Sequence, residues 1–158
     1  MNKIVALFGL IFLFFAVIVF FQVNAKTIAN LFHRSPTSKV SINSVTFEVE
    51  LVRTQKELMH GLSGRSSLAQ NQGMLFVFEK PSYYSFWMRD MKFPLDIIFI
   101  LDNKVVRVFE NMPAAAANDT NPPQFGSDVL SDKVLEINAG AAKKNKIKAG
   151  DTVRFELK

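Results

Sequence analysis

The stretch Leu95-Asp96-Ile97-Ile98-Phe99-Ile100-Leu101-Asp102-Asn103-Lys104-Val105-Val106-Arg107-Val108-Phe109 decides the fold class. Two apolar runs rich in β-branched and aromatic residues flank a short Asp-Asn turn, which is the pattern of a β-hairpin. Toward the N-terminus, Gly73-Met74-Leu75-Phe76-Val77-Phe78, closed by Pro81, and the aromatic run from Tyr83 to Met88 read as further strands, central in the sheet. Val45, Phe47, Val49 and Leu51 alternate with Thr46, Glu48 and Glu50, the period of a strand with one dry face.

One helix is expected between these strands. Thr54-Gln55-Lys56-Glu57 has capping-box spacing: the Thr54 hydroxyl accepts from the Glu57 amide, and the Glu57 carboxylate accepts from the Thr54 amide. The helix that follows places Leu58, Met59 and Leu62 on its inner face, and Gly61 and Gly64 supply the backbone freedom that ends it. Toward the C-terminus, residues 111–131 hold Pro113, a run of alanines, Asn121-Pro122-Pro123 and Gly126 without apolar period, and read as a long loop. Val134 to Ile137 is a strand, Ala139 to Lys146 a short helical turn, and Gly150-Asp151 turns the chain into a last strand from Val153 to Leu157. Gly73 and Gly150 fit backbone turns, where a side chain would clash. The sum is a mainly β domain, a sandwich or barrel of about six to eight strands with one short capped helix.

Ahead of this domain, Ile4 to Phe21 is an unbroken apolar run. At 1.5 Å per helical residue it spans roughly 27 Å, close to the ~30 Å hydrocarbon thickness of a bilayer. It reads as a signal anchor, or as a signal peptide cleaved after Val23-Asn24-Ala25. Either reading puts the domain outside the cytoplasm, held at the cell membrane through residues 4–21 or secreted. Residues 26–41, with Ser35-Pro36-Thr37-Ser38 at their centre, read as a flexible tether, and the single domain runs from Ile42 to Lys158.

The net charge of +5 belongs to the membrane end. Residues 1–41 contain Lys3, Lys26, Arg34 and Lys39 and no acid, which leaves the rest of the chain at +1. A nucleic-acid binder carries its excess on the folded face that meets phosphate, so no nucleic-acid partner is expected. Without cysteine there is no disulfide, thiol nucleophile or Cys-based zinc site. His33 and His60 stand in no metal-ligand spacing, and neither a metal nor a cofactor is expected.

Several separated motifs form one ordered pattern: Gly61-Leu62 with Arg65, Gly73 to Phe78, Phe86-Trp87-Met88-Arg89, Pro94 to Ile100, Val134 to Ile137, and Gly150-Asp151. Over residues 42–158 the chain resembles the domain of unknown function 192 family. The resemblance implies a small jelly-roll-like β domain, often exported behind a signal or anchor, with no established reaction. The chain departs from that family at Asp90-Met91, where an Asn-Thr pair usually follows the Trp-Met-Lys/Arg motif.

Arg65, Trp87, Arg89, Asp90 and Asp96 form the candidate ligand-binding set. An aromatic face beside guanidinium and carboxylate groups can hold a carbohydrate or other small polar ligand. The structural alternative makes Trp87 a core residue, with Asp96 paired to Arg89 or Arg65. A catalytic alternative takes Asp96 and Glu136, both inside apolar strand sequence, as the acid-base pair of an envelope hydrolase or lyase. Their carboxyls must then converge in one cleft. A third alternative is a structural module that binds a partner protein.

Overall fold

The computed structural model describes residues 37–115, 122–126 and 128–158. The apolar run of residues 4–21, the cleavage site and most of the tether lie outside the described residues. From Thr37 to Lys158 the chain forms one compact unit of nine strands and two short helices among the described residues. In chain order these are β1 (Ser38–Ile42), β2 (Val45–Val52), α1 (Gln55–His60), β3 (Gln72–Ser82), β4 (Ser85–Trp87), β5 (Leu95–Leu101), β6 (Lys104–Met112), β7 (Gln124–Gly126), β8 (Ser131–Asn138), α2 (Ala141–Lys144) and β9 (Val153–Glu156).

Seven strands form one sheet in the order β6-β5-β8-β3-β2-β1-β9, and β4 pairs with β7 in a separate small sheet. Every pair in the large sheet is antiparallel except β2 with β3, whose same-direction register is bridged by the crossover through α1. The sheet curls far enough for its two ends to meet. The Val105 amide donates to the Asp151 carbonyl at 2.9 Å, the Gly150 amide to the Val105 carbonyl at 2.8 Å, and Lys104 bridges Thr152. The mainly β expectation therefore holds, as a half-barrel with a small second sheet.

Side-chain alternation sorts the apolar residues into two clusters on opposite faces of the central strands. The inner cluster takes residues from all seven strands, among them Val40, Phe47, Leu75, Ile98, Val105, Leu135 and Val153, and so fills the curl. The outer cluster holds Met74, Phe76, Leu95, Ile97, Phe99 and Val134, covered by Leu62, Met88 and Met91. β5 is buried on both faces, which explains why Leu95–Ile100 is continuously apolar but for Asp96.

Several local expectations shift. Ser38–Ser41, assigned to the tether, belongs to β1, whose inward residues Ser38, Val40 and Ile42 are buried against β2 and β9. The aromatic run from Tyr83 to Met88 gives no central strand; only Ser85–Trp87 is extended, and it pairs with β7. That partner lies inside the stretch read as a loop. Met59, assigned to the inner face of α1, is 65% exposed, whereas Leu62 is buried. Gly73 lies within β3 and not in a turn: a Cβ there would stand 2.8 Å from the Glu136 carbonyl oxygen, so glycine is required by the close approach of β8.

Candidate functional site

A cleft of about 850 Å³ opens on the outer face, between α1 and the β3–β4 connection. Its floor is apolar, built from Leu58, Phe76, Phe78, Phe86 and Trp87, and Arg53, Glu79 and Lys80 stand at its edge. The floor follows from the pleat of β3. Met74, Phe76 and Phe78 alternate onto the outer face, and β4 brings Phe86 over them, with edge-to-face ring contacts at 4.9 Å to Phe76 and 5.8 Å to Phe99. Tyr84 stacks on Phe78 at 3.6 Å between ring centroids, and its hydroxyl donates to the Lys80 carbonyl at 2.6 Å. The aromatic wall is therefore fixed by its own packing.

The opposite wall is α1, which is held by the capping box read from the sequence. The Thr54 hydroxyl accepts from the Glu57 amide, and the Glu57 carboxylate accepts from the Thr54 and Arg53 amides at 3.0 and 3.3 Å. These bonds hold the Glu57 carboxyl below its ordinary pKa. Gly61, at φ +51, ends the helix and turns the chain toward Leu62 and the loop that carries Arg65.

Two loops meet beside the cleft. The Ser63 hydroxyl donates to the Arg89 carbonyl at 2.9 Å, and the Gly64 amide donates to the Asp90 carbonyl at 3.0 Å. Arg65, Arg89 and Asp90 thus belong to one loop pair, with Trp87 at the end of β4 beside it. Their roles differ. Trp87 is 37% exposed and lines the cleft, and the Arg89 guanidinium lies over its ring at 4.3 Å from the centroid. The expectation of a core tryptophan is overturned; the adjacent Met88 is the buried residue. Arg65 makes a bidentate ion pair with Glu50, both contacts at 2.6 Å, which raises the Arg65 pKa and lowers that of Glu50. Asp90 takes φ +55, so the loop turns at this position.

Asp96 is not part of this group. It is fully buried, and its carboxylate accepts from the Asn111 amide at 2.8 Å, the Gly140 amide at 3.1 Å and the Ala142 amide at 2.8 Å. It fastens the irregular end of β6 and the first turn of α2 to β5. Its partners are backbone amides, and neither Arg65 nor Arg89 is among them.

Glu136 sits one row away on β8, paired with Ile97 where Asp96 pairs with Ile137. Ile97 belongs to the outer cluster and Ile137 to the inner one, so the two carboxyls point to opposite faces of the sheet. They do not converge in one cleft, and the acid-base pairing of Asp96 with Glu136 is overturned on that ground.

Glu136 nevertheless reaches the neighbourhood of the cleft. It is 5% exposed and lines a small cavity of about 20 Å³ with Leu62, Phe76, Phe86, Trp87 and Met91. Burial pushes its carboxyl up to about 8, so it is largely protonated at neutral pH. The sequence reading singled out Trp87 and Arg89, but missed the aromatic floor. The even-numbered aromatics of β3, and Phe86 within the aromatic run that follows, are the signal the sequence carries.

Among the described residues no cluster of His, Asp and Glu could hold a metal ion. No curated protein matches the chain. Two crystal structures are similar to it. A protein of unknown function from Novosphingobium aromaticivorans DSM 12444 has 33% identity over 73% of this chain and 83% of its own, with a TM-score of 0.67. A protein from Sinorhizobium meliloti 1021, named as a proposed transcription regulator, has 26% identity over 75% of this chain and 93% of its own, with a TM-score of 0.69. The family profile of DUF192, described as uncharacterized ACR, matches residues 38–155, from the start of β1 into β9. The chain belongs to the domain of unknown function 192 family.

Proposed function

We propose that this domain is a non-catalytic, extracytoplasmic binding module whose small ligand lies in the cleft over Trp87. The observation that carries the reading is the cleft itself: about 850 Å³, apolar at its floor and charged at its edge, beside a half-exposed tryptophan. Ligand sites of small molecules have this size and this division between apolar contact and a few polar groups. A ligand with an apolar or ring face, such as a sugar, stacks on Trp87, while Arg53, Glu79 and Lys80 meet its polar groups. The apolar run of residues 4–21 supports a location at the outer face of the membrane. The balanced charge beyond residue 41 favours no nucleic-acid role.

The test is a structure of the protein soaked with a panel of envelope sugars and small metabolites. Density in the cleft over Trp87 is expected for at least one compound, and Trp87→Ala abolishes that binding while the far-ultraviolet circular dichroism stays unchanged. A cleft that stays empty at saturating concentrations of the whole panel overturns the reading.

A further inference from the structure

We infer that the small crevice at the base of the cleft takes the primary ammonium head of an amine ligand, with Glu136 as its counter-ion. This rests on the cleft being a ligand site and specifies what that site recognises. The crevice and the cleft share Leu58, Met59, Phe76, Phe86 and Trp87, so the crevice that Glu136 lines adjoins the cleft.

Glu136 is more than nine-tenths buried, and its carboxyl makes no hydrogen bond or ion pair with any described residue. A buried carboxyl of this kind costs stability and calls for an explanation. None of the described residues supplies it with a counter-ion. Arg65, from the loop after α1, is committed to Glu50 of β2, and Arg89 lies over the Trp87 ring. His60, at the end of α1, lines the same crevice without pairing to Glu136, and the residues that β3 and β5 present on this face, Met74, Phe76, Phe78, Leu95, Ile97 and Phe99, are all apolar.

Three features point to an ammonium group. A carboxyl with no partner attracts a cation, Phe76, Phe86 and Trp87 line the crevice with rings whose faces attract a cation, and the volume selects its size. About 20 Å³ admits one water-sized group, which a primary ammonium is and a trimethylammonium is not. When no cation faces it, Glu136 is largely neutral near pH 7, so binding of an ammonium releases the carboxyl proton to solvent.

The experiment titrates the full chain with n-butylammonium, n-butyltrimethylammonium and 1-butanol at pH 7 and follows the emission of its single tryptophan, Trp87. The primary amine is expected to bind at least ten-fold tighter than either analogue. Glu136→Gln is expected to weaken the amine at least ten-fold and to leave the alcohol unchanged. Equal binding of the alcohol or of the quaternary amine overturns the inference, even if the variant fails to fold. Undiminished amine binding by a folded Glu136→Gln protein overturns it too. If no amine binds while a sugar still perturbs Trp87, the ammonium assignment fails and the cleft reading stands. If nothing perturbs Trp87, both fail.

Discussion

Asp96 and Glu136 carry the same functional group one row apart on neighbouring strands, yet the fold uses them in opposite ways. Asp96 is surrounded by donors: three backbone amides, from residues far apart in the chain, converge on it. Asp96→Ala leaves those amides unsatisfied, and a loss of about 3–5 kcal/mol is expected in urea denaturation. Asp96→Asn, which keeps one accepting oxygen, is expected to lose about half as much; a loss under about 1 kcal/mol for alanine would contradict the assigned role.

Glu136 has no such partners, and its effect depends on pH. Its folded-state pKa of about 8 lies above the ordinary carboxylate value of 4.5, so the folded protein holds a proton that the unfolded chain has already lost. Stability therefore falls as pH rises from about 4.5 to about 8, and levels off beyond. Glu136→Gln removes this dependence, so its stability advantage over the wild type is expected to grow across that window in denaturation midpoints. Parallel pH curves would contradict it. From sequence, a lone acid in an apolar strand signals importance. It does not reveal whether amides from Asn111, Gly140 and Ala142 come to meet it.

Element by element, local devices were legible and long-range pairings were not. The capping box was readable because both of its hydrogen bonds close within four residues. Thr54→Ala is expected to cost about 1 kcal/mol and, because α1 walls the cleft, to weaken ligand binding as well. The Asp102-Asn103 hairpin was readable for the same reason, with Asp102 at φ +53 in the turn. β4 and β7 were not. Three residues each gain strand structure only by pairing with one another across a long sequence separation. Gly73 belongs at this scale, since its requirement comes from β8. Gly73→Ala drives a methyl group against the Glu136 carbonyl, and a loss of about 2–3 kcal/mol is expected, with increased exposure of the β3–β8 amides to hydrogen exchange. A stable alanine variant with unchanged exchange would show that β8 yields easily.

For the folded unit as a whole, the curl of the sheet separates two cores and leaves the outer one partly open. The inner core fills the curl of the half-barrel; the outer core is covered only in part by α1 and β4, and the cleft lies where that cover stops. The mainly β class could be read from alternation and turns, but the curl could not, because it depends on how β6 meets the segment before β9. The candidate site shows the same division. Trp87 and Arg89 stood out as residues, while the cavity beside them is made by strands and a helix whose juxtaposition no local pattern encodes. The most direct test of the account is the emission of Trp87, the only tryptophan, during titration of the full chain with envelope sugars and primary amines. The account predicts a saturable change for at least one compound, lost in Phe86→Ala, which removes part of the floor without touching the fluorophore. Emission that stays constant across the whole panel would contradict a ligand site over Trp87.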